Sequence, residues 1–369
     1  MPKITLHKLS SIAATAAAGL SVTETELNAS AVVADLTLDN KSVQKVGGIV
    51  ADKSGNIYVA DEEQHIILKI TEDGDINTFA GVAGSPGNNA ALQSVAPATA
   101  RFNAPKGLAM DNSGNLYVAD SGNNQIRIVR PNGYVGVYAG NGAQTAGLVD
   151  ASANPLQARF SNPVDVAVDN SGKLYICDQG NHAVRKIDGG YVETIAGNGS
   201  SGDSANSRAS SLLPFCDTPT AIAVDALGNI YLNDDGNKTI KKIVPRGWIY
   251  RYSGGGNTGT SLGTEDTLNG ISKAFTCSYT SLQFSSVDAR GNLFVVDQVT
   301  GGKSRLVKVD RDGIPSNVVD FNAATTSRDG VLGVAVTPAQ KLFITITTPA
   351  EAESSSSSSA DSSSSSSGA

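Results

Sequence analysis

The chain has 369 residues, of which 39 are glycine and 13 are proline, and only 17% are charged. Few charges leave little material for exposed helix faces, so this composition excludes a helical bundle and favours strands joined by tight turns. The net charge of −7 disfavours non-specific nucleic-acid binding, which needs a basic surface. No run of about 18 apolar residues is present, so no membrane-spanning helix is predicted.

Residues 1–43 form an N-terminal segment that precedes the repeats. Two lysines come before an Ala-rich stretch from Leu9 to Leu20, but this stretch has too few large apolar residues for a secretory signal. A signal peptide is therefore not expected. Two overlapping capping boxes begin at Ser21 and Thr23, and they predict a short helix from Val22 to Asp35.

One sequence unit recurs along the rest of the chain. A well-preserved copy runs from Gly107 to Val129 and reads GLAMDNSGNLYVADSGNNQIRIV. Each copy carries one aromatic residue in its second strand, and these aromatics lie roughly 50 to 63 residues apart, a spacing that suits a four-stranded propeller blade with long connections. The aromatic positions are Tyr58, Tyr117, Tyr175, Tyr231, Phe294 and Phe343.

Each unit has the pattern of four antiparallel strands. An apolar strand such as Pro163 to Val168 ends at an Asp-x-x-Gly-Asn turn, and a second strand such as Leu116 to Ala119 follows. An Asp-x-Gly-Asn turn then leads to an alternating third strand that starts at Gln125. A glycine-bearing turn precedes a fourth strand such as Tyr134 to Tyr138.

These units resemble the NHL-repeat family of β-propellers. The resemblance rests on the pattern VAVD-x-x-GN-LYVAD-x-GN-x-x-I-R-K-I, on five good copies and a worn sixth between Gln44 and Thr348, and on the loop AG-x-G … ARF. It implies an all-β fold, a six-bladed β-propeller with four-stranded blades around a channel. The predicted propeller domain spans residues 44–349.

The last repeat supplies only two clear strands, Val331 to Val336 and Lys341 to Ile346, so its missing outer strands should come from the N-terminus, which closes the ring. The best candidate for a ring-closing strand is Ala31 to Leu38 in the N-terminal segment, and Ile4 to Leu9 is left open as a further strand. Residues 350–369 are mostly serine, which cannot bury a core, so a disordered Ser-rich tail is predicted.

The repeated aspartates are the most prominent polar residues. Catalytic carboxylates need unlike environments, whereas these recur identically in each blade, so we interpret them as structural turn caps. Arg127, Arg185 and Lys241 recur on the third strand and are expected to pair with a carboxylate of a neighbouring blade. The capping residues are Asp52, Asp111, Asp169, Asp225 and Asp288 in the first turn, and Asp61, Asp120, Asp178, Asp234 and Asp297 in the second.

No catalytic, cofactor-binding or metal-binding residue is assigned. His65 and His182 occupy one repeat position in non-adjacent blades, so they are not expected to converge on a metal as zinc ligands do. No nucleophile elbow and no phosphate-binding loop is present. The other histidine and the three cysteines, which are interpreted as small buried side chains, are His7, Cys177, Cys216 and Cys277.

The connections between blades are long, at about 20 residues, and such loops are often functional. We expect them to emerge on one face of the ring. The first interpretation is that they are merely connectors typical of the family. The alternative is a recognition surface, whose polar, weakly charged composition suits an uncharged ligand such as a glycan. The candidate binding residues are Asn88, Asn89, Gln93, Asn141, Gln144, Asn154, Asn198, Asp203 and Asn257.

The segment Gly19 to Ala29 resembles a spacer of bacteriophage fibre and head-decoration proteins. The leading hypothesis is therefore a non-enzymatic binding or display module, a virion protein that presents its loop face to a host surface or protein partner, with oligomerisation through the N-terminal segment. It would be located on a virion or at the cell surface, and cytoplasmic before assembly. The alternatives are an extracellular propeller enzyme of lyase or hydrolase type, and a bacterial surface scaffold protein.

Overall fold

A computed structural model describes thirteen ranges of the chain: residues 3–8, 32–35, 37–38, 41–42, 45–89, 95–141, 146–203, 207–208, 215–254, 279–299, 303–321, 331–336 and 342–348. Within these ranges the regular structure consists of β-strands and four short 3-10 turns, at Pro97–Thr99, Ser121–Asn123, Pro155–Gln157 and Gln179–Asn181. No helix in the described part of the chain is long and apolar enough to span a bilayer.

The strands follow the repeat pattern closely. In chain order they are β1 (Lys3–Lys8), β2 (Val32–Asp35), β3 (Thr37–Leu38), β4 (Lys41–Ser42), β5 (Val46–Ala51), β6 (Ile57–Asp61), β7 (Ile66–Ile70), β8 (Ile76–Gly81), β9 (Pro105–Met110), β10 (Leu116–Asp120), β11 (Gln125–Val129), β12 (Val135–Ala139), β13 (Pro163–Val168), β14 (Leu174–Asp178), β15 (Ala183–Asp188), β16 (Tyr191–Ala196), β17 (Ser207–Arg208), β18 (Pro219–Val224), β19 (Ile230–Asp234), β20 (Thr239–Ile243), β21 (Trp248–Gly254), β22 (Leu282–Val287), β23 (Leu293–Val299), β24 (Lys303–Val309), β25 (Pro315–Phe321), β26 (Val331–Val336) and β27 (Leu342–Thr348).

Consecutive strands pair antiparallel to form blades. Blade 1 is β5–β8, blade 2 is β9–β12, blade 3 is β13–β16, blade 4 is β18–β21 with β17 at its edge, and blade 5 is β22–β25. A closing sheet has the order β2-β1-β27-β26. We therefore count five blades of consecutive strands and one closing sheet, where the repeats predict six blades. The prediction of an all-β propeller with four-stranded antiparallel blades is confirmed.

The sheets stand around an axis with their first strands innermost. The strands β5, β9, β13, β18, β22 and β26 contact one another in that cyclic order, and β26 contacts β5. Apolar side chains from adjacent sheets fill the space between them. Between blades 2 and 3, for example, Ile126 and Tyr117 pack in one cluster with Phe160 and Ile176. A single blade could not bury both of its faces, and this stacking buries them.

The closing sheet joins the two ends of the chain. Strand β1 lies between β27 and β2, with Thr5 opposite Ile346 on one side and opposite Asp35 on the other. The closing candidate Ala31 to Leu38 therefore contains β2 and β3.

The predicted helix from Val22 to Asp35 is wrong for its last four residues, which form β2. Their backbone groups pair with β1, and this tertiary pairing overrides the local helix signal. The rest of that helix, the segment Gly19 to Ala29 and residues 350–369 lie outside the described residues.

The long connections cover the outer edges of the blades. Val95 bridges to Val135 of β12, Ala151 bridges to Val192 of β16, and β17 pairs with the start of β21. These connections thus add a two-residue fifth strand to blade 4 and a single bridging residue to the outer strands of blades 2 and 3. These parts of the connections therefore run along the outer strands, and the emergence of the connections on one face of the ring stays a prediction. Covered edges leave fewer free backbone groups for pairing with another chain.

A repeated hydrogen bond also joins successive blades near the axis. His65, Asn124 and His182 follow the second turn of their blades and have positive φ angles of 59°, 52° and 46°. Their side chains each accept a hydrogen bond from a backbone N–H that precedes the first strand of the next blade. The three bonds are Ala104 N to His65 Nδ1 at 3.0 Å, Asn162 N to Asn124 Oδ1 at 2.7 Å, and Thr218 N to His182 Nδ1 at 3.4 Å.

Candidate binding surfaces

The first set of repeated aspartates closes the turn between strands one and two of each blade. In blade 2, Asp111 Oδ1 accepts hydrogen bonds from the N–H groups of Ser113 at 2.8 Å and Asn115 at 2.9 Å. Its Oδ2 accepts from Asn115 Nδ2 at 2.8 Å and from the Tyr117 hydroxyl at 3.1 Å. All these donors lie within six residues of the carboxylate. The same backbone bonds recur at Asp52, Asp169, Asp225 and Asp288.

The tyrosine at the end of this turn is held in its neutral form. Burial raises the pKa of Tyr58 to about 12, and the charge of Asp52 and its hydrogen bond add to the rise. Burial also raises the pKa of Tyr117 and Tyr175. The hydroxyl of such a tyrosine keeps its proton and donates a hydrogen bond to the aspartate, which stabilises the turn.

The second set of aspartates is buried and does more than cap a turn. Asp120 Oδ1 accepts a hydrogen bond from the Asn103 N–H at 2.7 Å, and its Oδ2 accepts from Asn123 Nδ2 at 2.8 Å and Arg127 Nη1 at 2.9 Å. Both charged side chains are fully buried. Burial raises the pKa of Asp120, and Arg127 opposes that rise. Corresponding ion pairs are Asp178–Arg185, Asp234–Lys241 and Asp297–Arg305.

The expected pairing of these cations with a neighbouring blade is therefore wrong. Arg127 lies opposite Val118 on the adjacent strand of its own blade, so the nearest buried carboxylate is that of Asp120. Asp61 stands apart from the other members because Leu68 follows it at the position of the cation. Asp61 Oδ1 accepts the N–H groups of Glu63 at 3.2 Å and Gln64 at 3.1 Å, as a turn cap does.

The ion pairs of blades 2, 3 and 4 fix the connection that enters each of these blades. In blade 3, Arg185 Nη1 donates to the Arg159 carbonyl at 2.8 Å and lies over the ring of Phe160, with 5.0 Å from its guanidinium carbon to the ring centre. Asn181 Nδ2 donates to the Gly147 carbonyl at 2.8 Å, from the same turn. Arg127 and Lys241 bind the carbonyls of Arg101 and Phe215 in the same way. These partners belong to the connections, which are thereby held against the blades.

Most of the predicted ligand-binding residues use their polar groups inside the chain. Asn89 accepts from the Arg101 N–H at 2.9 Å, Asn154 from Leu156 N at 3.0 Å, and Asn198 from Ser200 N at 3.1 Å. Asp203 pairs with Lys241 and Arg251, both at 2.8 Å. Asn88 contacts Gln125 and Arg127. Asn141 is partly exposed, and Gln93, Gln144 and Asn257 lie outside the described residues.

Histidines and cysteines do not gather into a site in the described ranges. No group of three His, Cys, Asp or Glu side chains there is placed to hold a metal ion. His7 lies on β1 in the closing sheet, opposite Ile344. Cys177 and Cys216 are buried free thiols, as predicted, and burial raises the pKa of both. Cys277 lies outside the described residues.

One carboxylate near the axis departs from the repeat pattern. Asp165 lies on β13, where its Oδ1 accepts from the Val166 N–H and its Oδ2 from the Ile222 N–H of blade 4, both at 2.9 Å. Burial raises the pKa of Asp165 to about 7, and these two N–H donors oppose the rise. A Cβ atom at Gly107 of the preceding blade would lie 2.1 Å from Asp165 Oδ1, so this position requires glycine.

The outer strands of three successive blades carry exposed aromatic side chains, which the sequence analysis missed. Tyr134, Tyr191 and Trp248 are 42%, 58% and 43% exposed. They recur every 57 residues, directly after the turn between strands three and four, and this interval was the available signal. On blade 4, Tyr250 is 43% exposed and Leu227 is 80% exposed. An open groove of about 650 Å³ lies beside Tyr191 and Asp150.

The NHL repeat profile matches residues 102–129 and 160–187, which lie in blades 2 and 3. NHL repeat-containing protein 2 from Gallus gallus is 30% identical over 141 residues, which are 36% of this chain and 19% of that protein. The Arabidopsis thaliana protein SUPPRESSOR OF QUENCHING 1, chloroplastic, is 26% identical over 196 residues, 51% of this chain and 18% of that protein. The chain thus matches about a fifth of the length of these relatives.

Solved structures share the fold at low identity. A gluconolactonase from Xanthomonas campestris superposes with a TM-score of 0.53 at 13% identity, covering 83% of this chain and 86% of that one. A Bacteroides thetaiotaomicron protein of unknown function has a TM-score of 0.53 at 16% identity, covering 84% of this chain and 71% of that one. Together with the repeat matches, these likenesses support an NHL-repeat β-propeller.

Proposed function

We propose that this protein is a non-enzymatic binding module that holds a protein partner on the outer strands of blades 2 to 4. The single observation that carries the proposal is the series Tyr134, Tyr191 and Trp248, exposed at one repeat position on three successive blades. Tyrosine and tryptophan are enriched at protein interfaces, because they bury a large area with few rotatable bonds.

The use of the other polar groups supports the same proposal. The repeated carboxylates and cations bind turns and connections of the chain itself, and so do Asn89, Asn154 and Asn198. A surface whose polar side chains already serve the scaffold offers few hydrogen bonds to a glycan, whereas exposed aromatic rings offer apolar contact to a protein. A glycan ligand therefore becomes an outcome of the test.

A displayed peptide library and a glycan array probe the full chain, which is compared with the triple variant Tyr134→Ser, Tyr191→Ser, Trp248→Ser. We expect the wild type to select peptide ligands. The triple variant should bind these peptides with at least tenfold lower affinity. A matched control replaces Asn112, Ser113 and Ser171 with alanine, since these residues are exposed in the other turns of blades 2 and 3. Ligands that bind both variants as they bind the wild type would contradict the proposal. Binding of glycans without binding of peptides would contradict the protein partner and indicate a glycan ligand.

The place of this module on a virion or cell surface stays a prediction. It rests on the resemblance of Gly19 to Ala29 to a phage spacer, and we include it in the proposal as the setting in which a rigid display module serves a host-binding role. Antibody labelling of purified particles and of intact host cells tests it. Label on neither of these would remove the virion and surface assignments and leave the binding function to be tested separately.

An enzyme is the second candidate, and the specific observation that favours it is Asp165. A carboxyl group whose pKa is raised to about 7 can exchange a proton near neutral pH, which suits a general acid or base. The Xanthomonas campestris protein of similar fold is a gluconolactonase by its description. Lactone hydrolysis by the wild type that is lost in Asp165→Asn would favour this candidate, and no turnover by either would favour the binding module.

A further inference from the structure

Two buried side chains on β11 converge on one amide of the incoming connection. Gln125 and Arg127 lie two residues apart, on the same side of the strand, and neither is exposed to solvent. Gln125 Oε1 accepts a hydrogen bond from Asn88 Nδ2 at 2.9 Å, and Arg127 Nη1 donates to Asn88 Oδ1 at 3.5 Å. The polar ends of both side chains therefore lie together beneath Asn88.

Each of these side chains has a donor without a partner in the described protein. Gln125 Nε2 and Arg127 Nη2 are buried and make no hydrogen bond with the residues that the structure describes. The remaining groups of Arg127 are used, since Nη1 binds Asp120 and the Arg101 carbonyl and Nε donates to the Gly136 carbonyl at 3.3 Å. A buried donor that stays unpaired destabilises the folded state, more so when it is charged, so a ligand that accepts from both donors stabilises the protein.

Blades 3 and 4 identify the chemical group that fits. In blade 3, Arg185 Nη2 donates to Asp150 Oδ1 at 2.9 Å, in addition to the pair that Arg185 makes with Asp178. In blade 4, Lys241 pairs with both Asp234 and Asp203. In both blades the buried cation thus binds one carboxylate from its own blade and a second one from the incoming connection.

Blade 2 has an amide where blade 4 has that second carboxylate. Gly87 and Gly202 are equivalent, because their carbonyls accept from Asn123 and Asn237 of the same turn. The residues that follow these glycines are Asn88 and Asp203. The buried cation of blade 2 therefore has one carboxylate partner, whereas those of blades 3 and 4 have two.

We propose that blade 2 binds a carboxylate ligand, which accepts hydrogen bonds from Gln125 Nε2 and Arg127 Nη2 and takes the role of the Asp150 and Asp203 carboxylates. A planar carboxylate matches two such donors, and a guanidinium recognises it with directed bonds. The ligand is a small aliphatic acid or the acidic side chain of a partner protein. This inference does not depend on the aromatic surface.

An open cleft of about 580 Å³ lies over this position, and its lining includes Asn88, Asn89, Thr99 and Arg101. The stem of Arg101 covers Gly87, since a Cβ atom on that glycine would lie 3.1 Å from Arg101 Cδ. Arg101 itself is exposed, so its positive charge attracts an anion to the cleft. Displacement of the Asn88 side chain opens the way from the cleft to the two donors.

The experiment is a titration of the full chain with sodium acetate, which replaces sodium perchlorate at constant pH and ionic strength while Tm is measured. Because a ligand that binds the folded state stabilises it by mass action, the wild type is expected to show a saturable rise in Tm. Asn88→Asp places a carboxylate in the chain at this position. It is expected to raise Tm without acetate and to abolish the saturable response.

The reverse variant, Asp203→Asn, makes blade 4 resemble blade 2 and is expected to gain a second acetate response. If it does not fold, Asn88→Asp alone still decides the question. A dipeptide amide of acetylated glycine and aspartate serves as the probe for an acidic side chain. Tighter binding of that dipeptide than of acetate indicates a protein partner, and binding of acetate alone indicates a free acid. Equal responses of wild type and Asn88→Asp, or none in the wild type, would overturn the proposal and assign the two donors to water only.

Discussion

Asp111 and Asp120 lie nine residues apart in the same blade, yet they have different environments and different effects on the fold. Asp111 is partly exposed and binds donors within six residues, whereas Asp120 is fully buried and binds a backbone N–H 17 residues away together with a cation. The first carboxylate shapes a local turn, and the second joins a connection to its blade. The comparison teaches that the same residue type can stabilise a local turn or a contact between distant parts of the chain. The position decides which, since Asp111 precedes strand β10 and Asp120 ends it.

Removal of a buried cation should give the largest effect. Arg185→Ala leaves the carboxylate of Asp178 buried without its ion pair, which typically costs about 3 to 5 kcal/mol of unfolding free energy. Urea denaturation followed by tryptophan fluorescence measures this loss. Arg185→Lys keeps the charge but not the planar fork, so we expect an intermediate loss. A cost below about 1 kcal/mol for Arg185→Ala would show that the second set of aspartates has no greater role than the first.

Asp165 gives a third environment for a carboxylate, because it binds two backbone N–H groups and is not paired with a cation in the described structure. The folded pKa of Asp165 is raised to about 7, and an unfolded aspartate has a pKa of about 3.9. The folded state therefore holds the proton more tightly, and the stability that this provides is present below about pH 4 and is lost as the pH rises to about 7.

In Asp165→Asn this contribution is absent, so the fall in unfolding free energy between pH 5 and pH 8 should be smaller than in the wild type. We expect a difference on the order of 2 kcal/mol, discounted because Asp165 is partly exposed. Denaturation curves at the two pH values measure it. Asp169→Asn, a change in the turn of the same blade, is the control and should leave this pH dependence nearly unchanged. An identical pH profile for Asp165→Asn and wild type would contradict the raised pKa.

Loss of a turn cap should have a smaller effect than loss of a buried pair. Asp169→Ala removes the acceptor for the N–H groups of Ser171 and Lys173, which should cost about 1 kcal/mol. Because these bonds are local, limited proteolysis of the connection before blade 3 should not change, whereas Arg185→Ala should accelerate it. Equal proteolysis of the two variants would remove the distinction between the two sets.

The smallest effect concerns the hydrogen bonds between blades. His65 Nδ1 accepts a hydrogen bond from the Ala104 N–H. Asn124 Oδ1 makes the same bond in the next blade, so His65→Asn should keep the bond and tolerate the positive φ.

We expect a change in unfolding free energy below about 0.5 kcal/mol for His65→Asn. Thermal unfolding of the variant and the wild type measures it. A loss of about 1 kcal/mol or more, as expected when a partly buried N–H loses its acceptor, would contradict the role of His65 as an acceptor that asparagine can replace.

The strands of the blades could be predicted from the sequence because local residue patterns in each repeat mark its strands and turns. The predicted strand Pro163 to Val168 is the observed β13, and Tyr134 to Tyr138 differs from β12 by one residue at each end. The contacts of the buried ion pairs were harder to predict from the sequence. Asp120 accepts from the Asn103 N–H, and its partner Arg127 donates to the Arg101 carbonyl. Both groups belong to the connection around the ARF loop, and that motif does not indicate which backbone groups bind the ion pair.

The intrablade ion pair, by contrast, was within reach of the sequence. Asp120 and Arg127 flank a hairpin turn, and antiparallel register places Arg127 opposite Val118, two residues before Asp120. Side chains two residues apart on paired strands share one face of the sheet. The wrong assignment to a neighbouring blade came from treating each strand separately.

The bridges between the connections and the outer strands have a consequence for where this chain can be divided. Since Val95 pairs with blade 2 and Ala151 with blade 3, these two connections are structurally part of the blades that follow them. A transplantable unit therefore begins after the last strand of one blade and ends with the last strand of the next, as residues 82–139 do. Duplication, deletion or circular permutation at such a boundary keeps the outer strand of each blade paired with its connection. A cut just before the first strand of a blade would separate that blade from the connection that covers its outer strand.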